Sequence, residues 1–306
     1  MKKQLISVND LSREDIEKIF ALSTDVKKNP EKFQNALQGK MFGLIFEKPS
    51  TRTWVSFQAG IFSLGGNSIY LGPDDIKLGV REEVKDVARV LNRYLSGVVM
   101  RTFYHKTITE FGMYFRQPMI NGLSDYQHPC QALADFFTIR ERFGEDAKPI
   151  VTFVGDGNNV LNSLILLAAK LGGIFRYVTP EKHPPAKKVH EQAMKLAQET
   201  GAVIESSHDP VNGVRDADVV YTDVWVSMGQ EEERAKKIKD FDGMQVNSEL
   251  LKKAKKDVAV MHCLPAHRGE EITDEVMEGQ NSIVFDQAEN RLHVQKAILL
   301  HLCSAS

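Results

Sequence analysis

Cysteine is scarce in this sequence: three in 306 residues, at positions 130, 263 and 303. They are far apart, odd in number and form no C-x-x-C pair. That excludes a disulfide framework, argues against a structural zinc site and makes a reducing compartment the default. An excess of charge of either sign is also missing. Lys and Arg number 39 against 41 Asp and Glu, a formal net charge of −2, so nothing in bulk pulls the chain toward nucleic acid or an anionic membrane. Long apolar runs are absent as well. The most apolar stretch, Leu161 to Phe175, is broken by Asn162, Ser163 and Lys170, short of the roughly 20 apolar residues a membrane span needs. The opening MKKQLISVND has two lysines but no apolar run behind them, and does not read as a signal peptide. No repeat of fixed period and no low-complexity tract is visible. The expected product is a soluble, cytoplasmic protein.

What is present is ordinary globular composition, 42% hydrophobic and 26% charged, in a length that suits roughly two domains. Short β-branched or apolar runs alternate with longer amphipathic ones. Strands are expected at Met41–Phe46, Ser68–Leu71, Gly97–Thr102, Pro118–Asn121, Ile150–Val154, Phe175–Val178, Ala202–Glu205, Val219–Tyr221, Val258–His262 and Ser282–Phe285. Helices are expected at Leu11–Leu22, Glu82–Leu95, Pro129–Phe143, Asn159–Leu171, Pro185–Glu199, Ser248–Lys255 and Ala288–Leu302, the first opening on a Ser12/Asp15 capping box. This alternation reads as repeated βαβ units: an α/β protein of two domains, each a parallel sheet flanked by helices. The turn-rich GEDAKP, Gly144 to Pro149, marks the boundary. In such sheets ligands sit beyond the carboxyl ends of strands, so chemistry is sought in the residues after each strand.

EKPSTRT, Glu47 to Thr53, follows the first long strand and leads into a helix. Its hydroxyls (Ser50, Thr51, Thr53), the Arg52 fork and the helix's unpaired N–H groups suit an anion, phosphate above all. It is not the Walker loop, which requires G-x-x-x-x-G-K-[ST], and a plain Ser/Thr cap beside a surface arginine fits it about as well. Arg101 stands at a strand end, where an anion or a polarised carbonyl would meet it. His128 and Gln131 flank Pro129 at a helix start and could donate to a carbonyl oxygen. GDGNNV begins a dinucleotide fingerprint but has Val160 at the third glycine position and no acid placed for a ribose; Asn158 and Asn159 there could instead hold a small polar ligand. Asp223, near a strand end in TDVWVSMG, could bind an ammonium group. Cys263, in MHCLPAHRGEE, reads first as a buried structural thiol, and the alternation of an extended chain weakens a Cys263–His262 nucleophile pair. Arg291, expected in the first turn of the last helix, has no evident packing purpose.

In this order and spacing the set resembles the aspartate/ornithine carbamoyltransferase family over almost the entire chain. STRT (Ser50–Thr53), Arg101, HPCQ (His128–Gln131) and HCLP (His262–Pro265) match the family's carbamoyl-phosphate and catalytic positions, while DVWVSMG (Asp223–Gly229) with GDGNN and HCLP is similar to its ornithine branch. The resemblance implies a carbamoyl-phosphate-binding domain over 1–146 plus 288–306 and an ornithine-binding domain over 147–287, with the C-terminal helix crossing back to the N-terminal domain. It implies a homotrimer, no metal and no cofactor. Ser50, Thr51, Arg52, Thr53, Lys77, Arg101, His128, Gln131, Cys263, Leu264 and Arg291 would bind carbamoyl phosphate. Asn159, Asp223, Ser227 and Met228 would bind ornithine, and Arg52, Arg101, His128, Asp223 and Cys263 would carry catalysis. The implied reaction makes L-citrulline and phosphate, a step of arginine biosynthesis. Two residues depart from the family pattern: Trp54 replaces a second arginine, and Lys77 replaces a glutamine common in the ornithine branch. Carbamoylation of another amine (putrescine or an acylated ornithine) and non-catalytic anion binding are the rival readings.

Overall fold

The computed structural model describes residues 4–226 and 234–304. The chain forms two compact units, Met1–Phe137 with Asn290–Ser306, and Thr138–Glu289. Each unit contains one five-stranded sheet in which every pairing is parallel. In the first, strands β1 (Gln4–Leu5), β2 (Met41–Phe46), β3 (Asn67–Leu71), β4 (Gly97–Arg101) and β5 (Met119–Leu123) stand in the order β1-β5-β4-β2-β3. In the second, β6 (Ile150–Val154), β7 (Ile174–Val178), β8 (Val203–Ser207), β9 (Val219–Thr222) and β10 (Ala259–His262) stand in the order β10-β9-β6-β7-β8.

Both orders reverse once. From β2 the chain goes to β3 on one side and then to β4 on the other; from β6 it goes out through β7 and β8, then returns to β9 on the other side. The loops after β2 and β4 therefore diverge, as do those after β6 and β9, and each divergence opens a crevice where an α/β sheet binds its ligand. Register sharpens this. Phe46 pairs with Arg101 and Arg101 with Leu123, so β2, β4 and β5 end level. Val154 and His262 both pair with Thr222, so β6, β9 and β10 end level too.

The helices Pro129–Phe143 and Asn159–Leu171 have the expected bounds, and Arg13–Lys28 starts on the Ser12/Asp15 capping box, with Ser12 Oγ accepting from the Asp15 N–H. The first helix runs on to Lys28, six residues past the expected end, and the last begins four residues early, at Val284. Other details differ as well. Ser282–Phe285 is not a strand: Ser282 makes one isolated bridge to Val260, and the chain enters the last helix at Val284. The helix after Asn247 stops at Leu251, because the Lys255 N–H is taken by the distant Ala217 carbonyl. A short strand, β1, adds an edge beside β5, held by Gln4 Nε2 donating to the Gly112 and Phe115 carbonyls.

The C-terminal helix, Val284–Ser304, packs against the first unit's N-terminal helices. Asn290 Oδ1 accepts from Lys27 Nζ at 2.8 Å, His301 lies 3.4 Å from Asp15, and a Cβ on Gly60 of helix Thr51–Ser63 would sit 3.2 Å from Lys296 Cγ. Among the described residues no helix is long and apolar enough to cross a membrane. Because Ser12 Oγ satisfies an otherwise open helix N–H, Ser12→Ala should lower the unfolding free energy by about 1 kcal/mol, read from urea denaturation; an unchanged midpoint would show the cap to be idle.

Candidate active site

In the first unit the side chains gather where β2, β4 and β5 end. Ser50 caps the helix Thr51–Ser63, its Oγ accepting from the Thr53 N–H at 3.4 Å, which leaves Thr51 and Arg52 exposed on the first turn. Thr53 is buried, and its Oγ1 accepts from Arg291 at 3.1 Å. Arg291 also donates at 2.6 Å to Gln131 Oε1, while Gln131 Nε2 donates at 2.8 Å to Asp135. Arg291 thus has a packing role after all. It lies two turns inside its helix, not in the first, and ties the last helix to those beginning at Thr51 and Pro129.

Arg101 and His128 are buried as well, at 4% exposure each. Burial first, then repulsion from Arg291 and Arg101, holds the His128 pKa well below its usual 6.5. The imidazole is therefore neutral at physiological pH, a donor that adds no further charge to a cluster already holding two buried arginines. Cys130, next to Pro129, is a core thiol: burial pushes its pKa up to about 12, and its Sγ faces the Asn121 carbonyl at 3.5 Å.

In the second unit the level ends of β6, β9 and β10 bring three loops together. Asp223, directly after β9, is buried; its Oδ1 accepts from the Cys263 thiol at 2.8 Å and from the Val224 N–H, and its Oδ2 accepts from Asn158 Nδ2 at 2.7 Å. Asn158 also caps the helix Asn159–Leu171, its Oδ1 accepting from the Val160 and Leu161 N–H groups. One asparagine thereby orients both a helix start and a carboxylate. Gly157 is a glycine for packing: a Cβ there would sit 2.2 Å from the Pro184 carbonyl carbon, and its N–H donates to the His183 carbonyl. The second glycine of the partial dinucleotide fingerprint is accounted for by this backbone contact.

His262 is buried and aimed into the unit. Its Nε2 meets Glu271 Oε1 at 3.0 Å, and its Nδ1 accepts from the Leu264 N–H at 2.8 Å. The proton therefore sits on Nε2, and the ring clamps the turn that carries Cys263 and Leu264. Leu264 has φ of +57° and precedes a cis bond to Pro265. The Cys263 thiol donates to an acid, Asp223, while both ring nitrogens of His262 are engaged by Glu271 and the Leu264 N–H.

Relatives resemble this chain along its whole length. The family model "Aspartate/ornithine carbamoyltransferase, carbamoyl-P binding domain" matches residues 3–141, and "Aspartate/ornithine carbamoyltransferase, Asp/Orn binding domain" matches residues 148–302. The chain belongs to the aspartate/ornithine carbamoyltransferase family. Among family members, an ornithine carbamoyltransferase of Archaeoglobus fulgidus is 51% identical, covering 98% of this chain and 97% of its own. The solved ornithine carbamoyltransferase of Pyrococcus furiosus superposes with a TM-score of 0.93 at 48% identity, over 97% of this chain and 95% of its own. The anabolic enzyme of Campylobacter jejuni gives 0.95 at 39% identity over 100% of both.

Against the family pattern, Trp54 packs on Tyr70 of β3, ring centroids 4.6 Å apart, so an aromatic contact stands at the position of the family's second arginine. Lys77 is exposed, capping the C-terminus of the short helix Pro73–Ile76 that follows β3, in a left-handed conformation (φ +40°). Asn159 begins its helix, half-buried beside Asn158. Ser227 and Met228 lie outside the described residues. Two further residues, not among the expected site residues, support the site: Glu271, in MHCLPAHRGEE, meets His262, and Asp135 accepts from Gln131. For Asp135 the i, i+4 spacing from Gln131 on one helix is the only signal in the sequence.

Two groups among the described residues place possible metal-ligand atoms within 4.8 Å of one another, Asp223/His262/Cys263 and His267/Glu270/Glu271. In the first, Cys263 donates to Asp223 and both nitrogens of His262 have partners, so a cation there would have to break these contacts. In the second, Glu270 accepts from Arg234 and Glu271 Oε1 from the His267 N–H.

His128 sets a pH dependence. Below pH 6.5 the unfolded chain takes up a proton on this ring that the folded chain refuses, so stability is lost as pH falls. His105 and His301, whose pKa values burial also lowers, act in the same direction. The urea midpoint should fall from about pH 7 to about pH 5, and His128→Asn should flatten that dependence; an equal slope in the variant would refute the assignment.

Proposed function

We propose that this chain is an ornithine carbamoyltransferase, moving the carbamoyl group of carbamoyl phosphate to the δ-amine of L-ornithine to give L-citrulline and phosphate. The observation that carries the reading is the Asn158–Asp223–Cys263 grouping, an oriented acid suited to an amine at the ends of three level strands, in a chain half identical to a full-length relative of that name. The anabolic names of the Pyrococcus furiosus and Campylobacter jejuni relatives favour the synthetic direction, toward arginine.

On this reading the carbamoyl-phosphate-binding domain is residues 1–146 with 288–306, and the ornithine-binding domain is 147–287. Ser50, Thr51, Arg52 and Thr53 hold the phosphate at a helix N-terminus, where backbone N–H groups and the helix dipole favour an anion. Arg101, His128 and Thr53 aim donors at the carbonyl oxygen, whose negative charge grows as the amine attacks. Gln131, the Leu264 carbonyl and Arg291 complete the carbamoyl contacts. Asn159, Asp223, Ser227 and Met228 grip the amino-acid end of ornithine.

The δ-amine attacks only when neutral, because an ammonium has no lone pair. Asp223 and Cys263 orient it, without a covalent step at the thiol. The amine nitrogen bonds to the carbonyl carbon, the tetrahedral species collapses with loss of the C–O bond, and the departing phosphate accepts the amine's proton. Holding two small molecules in attack geometry supplies up to about 7–11 kcal/mol in the best intramolecular cases. The active unit is a homotrimer, and Lys77 reaches the carbamoyl phosphate of a neighbouring subunit.

Carbamoyl phosphate supplied with ornithine, putrescine, N-acetylornithine or aspartate should release phosphate above the blank with ornithine alone. Release with another amine only would transfer the assignment to that amine. Arg52→Gly should cut turnover by roughly a thousandfold, and an active variant would remove the phosphate clamp. Lys77→Ala should raise the KM for carbamoyl phosphate and leave that for ornithine unchanged; no change in either would end the cross-subunit role.

A further inference from the structure

Beside the Asn158–Asp223–Cys263 grouping lies a buried ionic cluster that none of the chemistry above uses. Lys237, on the helix Arg234–Asp240, donates at 2.6 Å to Asp156 Oδ2, and both side chains are only 9% exposed. Asp156 is also approached by His183, whose Nδ1 lies 4.0 Å from Oδ1 and whose Nε2 meets Asp240 at 3.0 Å. Asp240 in turn accepts from Lys182 at 2.7 Å. The His183 ring stacks on Phe241 at 5.1 Å, and Phe241 stacks on Trp225 at 5.3 Å, two residues beyond Asp223. The helix that carries Lys237 is thus tied both to the turn after β6 and to the segment after β9.

The connection to the site runs through a short, rigid path. Asp156 is two residues before Asn158, its carbonyl accepts the Asn158 N–H at 2.8 Å, and the intervening Gly157 is pinned to His183 and Pro184 with no room for a side chain. Asn158 then holds Asp223. Burial raises the Asp156 pKa and the Asp223 charge adds to the rise, while Lys237 and then His183 oppose it. Asp156 and Asp223 are thus both buried on adjacent strand ends, and Lys237 places its charge directly against the first of them.

We propose that Lys237 is a positioning residue for the amine substrate: its ion pair with Asp156 fixes the Asp156–Asn158 turn and, through Asn158, sets the Asp223 carboxylate against the Cys263 thiol. The role rests on the reading of the chain as an ornithine carbamoyltransferase. Lys237 does not touch the reacting atoms, so its loss acts on ornithine and spares the carbamoyl-phosphate cluster of the other unit.

The test compares wild type with Lys237→Met, Lys237→Arg, Asp156→Asn and the Asp156→Asn/Lys237→Met double variant. Wild-type citrulline formation reads the function itself; ratios to wild type and a separate thiol measurement read the proposal. Lys237→Met should lower kcat/KM for ornithine by about tenfold or more, as misplacement of a site by a remote residue does. Calorimetric affinity for carbamoyl phosphate should stay unchanged, and Lys237→Arg should restore most of the loss. Asp156→Asn should lose as much as Lys237→Met, and the double variant no more than either, because all three remove one interaction. The alkylation rate of Cys263 by iodoacetamide, followed by mass spectrometry, should change in Lys237→Met whatever the turnover. Should Lys237→Met be insoluble, Asp156→Asn and the double variant, which buries no lone charge, decide the matter. Wild-type kcat/KM for ornithine and wild-type Cys263 reactivity in Asp156→Asn would overturn the proposal, as would equal losses of ornithine and carbamoyl-phosphate binding in Lys237→Met.

Discussion

A parallel sheet allows its chain to leave each strand from one end only, and everything functional in this protein depends on that constraint. Each crossover returns over a face, so all loops that follow strands collect along the same edge. Where strand order reverses, between β2 and β4 and again between β6 and β9, neighbouring loops part and leave room for a ligand. The registers Phe46–Arg101 and Val154–Thr222–His262 make the strands end level, so residues distant in sequence arrive at one height.

At those edges the two units solve different electrostatic problems. The first concentrates Arg101 and Arg291 in a buried setting and keeps His128 neutral among them. Concentrated positive charge of this kind suits a ligand that brings negative charge. The second unit buries acids, Asp223 and Asp156, and offsets them with Lys237, Asn158 and the Cys263 thiol. A net charge of −2 over the chain conceals both arrangements, because opposite local imbalances cancel in the total.

Much of this was legible in the residues. Period and punctuation predicted nine of the ten parallel strands among the described residues to within two residues at either end, and two helices to the residue, because apolar runs of about five bounded by turn residues have few other readings. The exceptions have physical causes. Gln4–Leu5 is too short to carry a pattern and exists through pairing with β5. Ser282–Phe285 has the composition of a strand but meets only Val260 before the last helix begins at Val284. Motif residues in STRT, HPCQ, GDGNN and HCLP were visible as residue types that bind anions or amines after strands.

The sequence by itself determined the alternation of elements, the strand-end location of the reactive residues and the family resemblance that those motifs carry. All of these depend on local pattern and spacing. Only the tertiary structure decided the partners: Arg291 to Thr53 and Gln131 across 238 and 160 positions, Cys263 to Asp223 across 40, and Lys237 to Asp156 across 81. Such pairs follow from strand order and register, which no local window contains, because a hydrogen bond depends on distance in space and is indifferent to the length of chain between its ends.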